Sequence, residues 1–222
     1  MIRLLSMGTD GVAEGRARSR QKRVGEALRQ ETRIRLLDAA AEEFAARGYA
    51  GTTVARIAAA AGVSVQTLYL AWGSKRELLR GCMEHALAGG AASPEDAADR
   101  FEGMAPRERL AALAALVAEI AGRAATGWGL YRDAAAVDPE IAADWDELQS
   151  LRHRLFARIL ADVPEGDLAE GLTRSAAVDS AWAIASPESY DLLGRRLDYD
   201  LERFRDWMER TLVAALLVPG EA

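Results

Sequence analysis

The sequence predicts an all-α chain of about nine helices, on three observations. Alanine, the strongest helix former, supplies 46 of the 222 residues. Aromatics are only 6% of the chain, and the Val, Ile and Thr that fill strands are sparse. Apolar residues recur at steps of three and four, and caps or prolines mark most starts. A charged fraction of 28% and a net charge of −6 describe a globular rather than a disordered chain. The single cysteine, Cys82, excludes a disulfide framework and a Cys-rich zinc site and points to a reducing compartment. Leu110–Ala121, the longest strongly apolar stretch, is too short to span a bilayer, and the N-terminus offers no signal-peptide core. The expectation is a cytoplasmic protein with no membrane partner.

Residues 1–29 lack periodicity and hold Arg16, Arg18, Arg20, Lys22 and Arg23, which predicts a mobile basic arm, with Met7 as a second candidate start. From Gln30, Ile34, Leu37, Ala41 and Phe44 share a helix face, and Gly48 after Arg47 is a stop. Thr52 or Thr53 offers an N-cap for a short helix, Val54–Ala61. Gly62 and Val63 interrupt, and Ser64 caps a second short helix to about Ala71. Ser74-Lys75-Arg76-Glu77 is a capping box opening a helix to about Leu87. Residues 89–103 predict a loop or short turn. Pro106 opens a helix to about Ala125, and Gly127-Trp128-Gly129 predicts a break. Asp138-Pro139 opens a long helix to about Ala161. The next helix is expected from Asp167 to Ala185, Ser186-Pro187 starts a short one to Gly194, and the last runs from about Asp198 to Leu217. Leu201, Phe204, Met208, Leu212 and Ala215 form its apolar stripe.

Charge is unevenly divided. Residues 1–80 carry a net +6 and residues 81–222 a net −12. A basic end on an acidic body is the footprint of a protein that sets one end on a polyanion. Within the basic third, Ile57, Ala61, Leu68 and Ala71 face inward, Val63 plugs a turn, and Ala58 is small enough for two helices to cross steeply. Gly62 sits where a positive φ costs it nothing. Two short helices joined by a Gly-containing turn form the unit whose second helix reads the major groove.

From Thr32 to about Leu79 the order and spacing of residues go further than a bare turn. They comprise Phe44-Ala45-Ala46-Arg47-Gly48-Tyr49, Thr52-Thr53-Val54, Ile57-Ala58, Ala61-Gly62-Val63-Ser64, Thr67-Leu68-Tyr69 and Gly73-Ser74-Lys75-Arg76-Glu77-Leu78-Leu79. This run resembles the tetracycline-repressor-like (TetR) transcriptional regulators. Trp182 to Tyr190 also looks like a stretch from the C-terminal domains of some members. Leu70 and Ala71 depart from the polar or aromatic residues common there, and Trp72 stands for the usual Phe. The resemblance implies an N-terminal three-helix helix-turn-helix DNA-binding domain (30–76, after the arm at 1–29) and a C-terminal helical ligand-binding and dimerisation domain (77–222).

Each candidate DNA contact has a chemical rationale. Thr52 and Thr53 at a helix start present hydroxyls and backbone N–H groups to a phosphate. Ser64 does the same for the recognition helix, or only caps it. Gln66 can bond adenine N6 and N7 together, while Thr67 and Val65 can meet a thymine methyl. Tyr69 either reaches a phosphate or packs on the first helix. Lys75 is a phosphate-directed point charge or a solvated lysine, and Arg56 projects toward a base edge or the backbone. The recognition helix has no Lys or Arg of its own, so flanking charge must supply much of the affinity.

The resemblance further implies a homodimer built on the last two long helices, placing two recognition helices about 34–36 Å apart on double-stranded DNA. It also implies a repressor released by an unknown small-molecule effector, held among the middle helices. Trp128, Phe156 and Trp182 are the expected apolar wall, with Tyr131 nearby and Asp179 or His153 as a polar handle. The acidic body is compatible with a lipophilic cation. No cofactor, metal or catalytic residue is expected: the sequence lacks a P-loop, G-x-G-x-x-G, H-E-x-x-H or G-x-S-x-G, so it reads as no enzyme. The alternative is a helical small-molecule-binding or interaction module without sequence-specific DNA binding.

Overall fold

The computed structural model describes the backbone of residues 10–88 and 98–219, with side chains from residue 23. Its helices are α1 (Asp10–Gly51), α2 (Val54–Ala60), α3 (Val65–Trp72), α4 (Lys75–Ala88), α5 (Pro106–Ala135), α6 (Pro139–Ile159), α7 (Arg174–Ile184), α8 (Pro187–Tyr190) and α9 (Leu201–Leu216). Short 3-10 and π turns join them at Glu165–Asp167 and Asp191–Arg196. The all-α expectation holds: among the described residues the only β feature is one antiparallel bridge, Leu168 with Leu217.

Most starts follow the local chemistry. Thr53 accepts from the Arg56 N–H, Ser64 from Thr67, Thr173 from Ala176, Ser186 from Ser189 and Asp200 from Arg203. Asp138 accepts from both Glu140 and Ile141. Ser74 caps α4 through the Glu77 N–H at 3.0 Å, but the Glu77 carboxylate pairs with Arg80 instead of reaching back, so the box is half formed.

Four expectations need correction. The first helix begins at Asp10 rather than near Gln30, so residues 10–29, expected as a mobile basic arm, are helical; residues 1–9 lie outside the described residues. Gly48 does break that helix, with φ 68° and ψ 173°. The face α1 buries is Leu36, Ala39, Ala40 and Phe44, while Ile34 is exposed, because in an Ala-rich helix the apolar pattern alone does not fix the rotation. Next, α5 runs unbroken through Gly127 and Gly129. Each glycine costs a helix about 1 kcal/mol, but this turn also buries Trp128 and Tyr131, which outweighs it. As a result α5, at 30 residues, is long and apolar enough to cross a membrane by length and composition. It packs against α1, α4, α6 and α9 and contributes to both clusters of the interior.

The fourth correction concerns residues 167–173, expected to begin a helix. They run alongside the end of α9, the Ala169 N–H donating to Leu216 O at 2.9 Å and Val218 N–H to Asp167 O at 3.0 Å. That pairing takes the backbone bonds a helix would use, so α7 starts only at Arg174. On α9 the buried stripe is Phe204, Met208, Leu212 and Leu216, all at or below 1% exposure, while Leu201 and Ala215 are exposed. It is intramolecular core rather than a dimer face.

Two clusters make up the interior. One joins α1–α4 to Ala124, Trp128, Tyr131 and Ala134 at the end of α5 and to Ile141 at the start of α6. The other gathers the start of α5 with α6, α7 and α9. Helix α5 therefore belongs to both. Buried Arg109 donates to Ile159 O at 2.8 Å, a cation on the C-terminal carbonyls of α6.

Candidate nucleic-acid interface and ligand cavity

The α2–α3 unit is built as its residues require. The chain bends by 100° between the two helices. Gly62, at φ 67°, makes the turn in the left-handed region, and Ala58, 1% exposed, lies at the crossing. Ile57 and Leu68 are fully buried beneath it. Opposite, Ser64, Val65, Gln66, Tyr69 and Leu70 face outward, with Tyr69 48% and Leu70 82% exposed. Leu70 is the most exposed large apolar residue among those described.

Within this surface the candidate residues divide. Gln66, Val65 and Tyr69 are exposed on α3, and Thr53 is exposed at the start of α2. Ser64 and Thr67 are tied together: the Ser64 hydroxyl accepts from the Thr67 N–H at 3.0 Å and lies 2.8 Å from the Thr67 hydroxyl. Both oxygens remain near the surface. Arg56 is exposed but held by Glu43 at 2.9 Å, a pairing that keeps the Glu43 carboxyl below its usual pKa.

Thr52 and Lys75 are placed otherwise than expected. Thr52 is 1% exposed, and its hydroxyl lies within bonding distance of the Glu43 and Gly48 carbonyls, at 2.9 and 2.8 Å. Lys75 turns inward over the Tyr49 ring, its ammonium donating to Tyr49 O at 2.6 Å and Thr52 O at 2.8 Å. Burial lowers its pKa from the ordinary lysine value. The carbonyls freed where α1 breaks at Gly48 need donors, and Lys75 supplies them. Both residues therefore brace the α1–α2 junction in place of extending toward a phosphate.

Behind this surface, α4, α5 and α6, with residues 185–190, line a half-open cavity of about 620 Å³. Its wall is largely aliphatic, including Met83, Val117, Ile120, Leu148 and Leu155. Of the expected pocket residues, Trp128, Tyr131 and Phe156 line it. Trp128 and Tyr131 are locked by Trp145, whose ring lies 5.5 Å from the first and 6.2 Å from the second. His153, Asp179 and Trp182 are not in the wall. His153 and Asp179 instead pair at 2.8 Å on the outer face of α6 and α7, because helix rotation turns His153 outward while its neighbour Arg152 turns in. Trp182 lies against the Arg152 guanidinium and meets the His153 ring edge to face. Arg152 was missed: one arginine in a charged helix carries no sequence signal of which way it points. Among the described residues, no three His, Cys, Asp or Glu side chains converge to hold a metal ion.

A polar clamp joins cavity and interface. Asp144, in the cavity wall, grips Arg76 in the first turn of α4 through both oxygens, with Nε at 2.6 Å. Arg76 also reaches Glu140 at 3.1 Å, and Tyr131 donates to Asp144 at 3.4 Å. The Arg76 bonds hold the Asp144 carboxyl below its usual pKa, whereas burial and Asp144 together raise that of Tyr131.

Comparison with known proteins agrees with the all-α fold and the α2–α3 unit. Residues 36–82 match the family described as bacterial regulatory proteins, tetR family. No curated protein matches the chain in sequence. Among solved structures, it is similar to NalD, the secondary repressor of the MexAB-OprM multidrug efflux pump in Pseudomonas aeruginosa, at 20% identity, 85% coverage of this chain and 98% of that one, with a TM-score of 0.68. The SmeT–triclosan complex aligns at 21% identity over 86% and 93% of the two chains, with a TM-score of 0.69. FadR from Bacillus subtilis in complex with stearoyl-CoA aligns at 20% identity over 82% and 97%, with a TM-score of 0.61.

Proposed function

We propose that this chain, whose residues 36–82 form a tetR-family helix-turn-helix domain on a fold shared with solved regulators, is a ligand-responsive transcriptional regulator. It binds a palindromic operator as a homodimer in the cytoplasm and is released by a small molecule. Its chemistry is binding rather than catalysis. The single observation that carries this reading is the pairing of an outward-facing α3 with a largely apolar cavity, linked by α4.

On this reading Gln66 and Val65 read base edges, while Tyr69, Ser64, Thr67 and Thr53 position the backbone. Leu70, exposed beside them, adds an apolar contact suited to a thymine methyl. Arg56 reaches DNA by exchanging Glu43 for a phosphate. Effector binding favours an arrangement of α4 in which the two recognition helices no longer match successive grooves. Linkage then requires that DNA weaken effector binding by the same factor.

The test is titration of a labelled duplex from the protein's own upstream region at two salt concentrations. The expected result is binding that falls steeply with salt. Gln66→Ala and Tyr69→Ala should each weaken it about 5- to 100-fold without lowering Tm, the loss of one good contact. Flat, weak binding that neither substitution alters would leave only the helical binding module.

A further inference from the structure

The charges facing the cavity are mostly paired. Arg80 meets Glu77 and Glu84, Arg123 meets Glu119, and Asp144 holds Arg76. Glu147 and Arg154 are exposed. Arg152 differs. It is the partly buried guanidinium in the wall with no carboxylate bonded to it among the described residues.

Its terminal nitrogens donate to neutral oxygens, the Gln149 side chain and the Trp182 carbonyl. Its Nε is shut off from solvent and has no acceptor, as is the indole N–H of Trp182 beside it. The guanidinium lies 4.9 Å from the Trp182 ring and 5.7 Å from that of Phe156. Burial pushes its pKa down to about 10. A desolvated cation whose bonded partners are all neutral is costly to keep, and an anion brought to the guanidinium from the chamber would recover that cost.

We infer that the effector is an amphipathic monocarboxylate, its apolar tail in the chamber between α4, α5 and α6 and its carboxylate on Arg152, rather than a lipophilic cation. This rests on the reading of the chamber as the effector site. Arg154, the other wall arginine without an ion pair among the described residues, is exposed and solvated, so Arg152 is the one desolvated cation there and balances a single charge, which favours a carboxylate over a doubly charged phosphate. The expected polar handle, His153 with Asp179, faces outward and takes no part.

The experiment measures binding to the full-length chain by calorimetry with three probes of equal tail length, each below its micelle concentration: dodecanoate, dodecan-1-ol and dodecyltrimethylammonium. Dodecanoate is expected to bind at least about 10-fold more tightly than either of the others, the effect of one charge-assisted bond. Arg152→Gln should bring dodecanoate down to the level of dodecan-1-ol, and Arg152→Lys should keep part of the preference. Should Arg152→Gln fail to fold, as judged by its helical circular dichroism, the probe order on the unaltered chain and the lysine variant decide. Equal or tighter binding of dodecyltrimethylammonium, or a preference surviving in Arg152→Gln, overturns the inference. Ile120→Trp, which fills the chamber, separates the two readings. If all three probes bind alike and are expelled by it, the chamber stands and the carboxylate falls. If none binds, or Ile120→Trp leaves binding unchanged, the chamber falls and the inference with it.

Discussion

Single residues carry the geometry of the α2–α3 turn, and Gly62 shows how. No atom lies within 4 Å of the position a Cβ would take, so space is not what selects glycine. The φ of 67° is. Gly62→Ala should therefore cost about 1–2 kcal/mol, the left-handed penalty alone, measurable by urea denaturation. A loss well beyond that would mean packing had been disturbed. Lys75 teaches the opposite lesson. Its position in the motif suggests a phosphate contact, but the carbonyls left open by the break at Gly48 lie nearer, and the ammonium goes to them.

Among elements, the junction of α4 with α6 is the one on which regulation turns in the proposed function. Arg76 and Asp144 tie them, and Asp144 also lines the cavity, so an occupant that moves α6 moves α4. Asp144→Asn should lower stability at neutral pH. Because the folded carboxyl titrates below its ordinary value of 3.8, the pair's contribution is complete above that value and is lost as pH falls through the lower one. The difference in stability between the two proteins should hold steady from pH 7 to about pH 5 and close only in stronger acid. A gap that closed between pH 7 and 6 would assign it to another group.

Across the whole molecule, α5 belongs to two cores at once. Its first half packs with α6, α7 and α9, its second with α1 and α4, and the cavity lies along it. In the proposed function that arrangement makes the cavity an adjustable gap between the DNA-reading helices and the body. Filling it should uncouple them. Ile120→Trp is expected to retain operator binding at its original affinity while losing all release by effector, as checked by duplex titration with and without ligand. Loss of DNA binding in a folded variant would mean that the gap's emptiness itself is needed for the reading geometry.

The sequence determined what local chemistry controls. Caps at Thr53, Ser64, Asp138, Thr173 and Ser186, the turn at Gly62 and the exposed polar start of α3 all follow from neighbours within four residues, and most were legible there. Tertiary structure decided which way each helix rotates, and hence that Arg152 lines the cavity while His153 does not. It decided that α5 continues through two glycines and that residues 167–173 pair with α9 instead of coiling. In each case the deciding partner lies dozens of residues away, and burial against it outweighs a local preference worth about 1 kcal/mol.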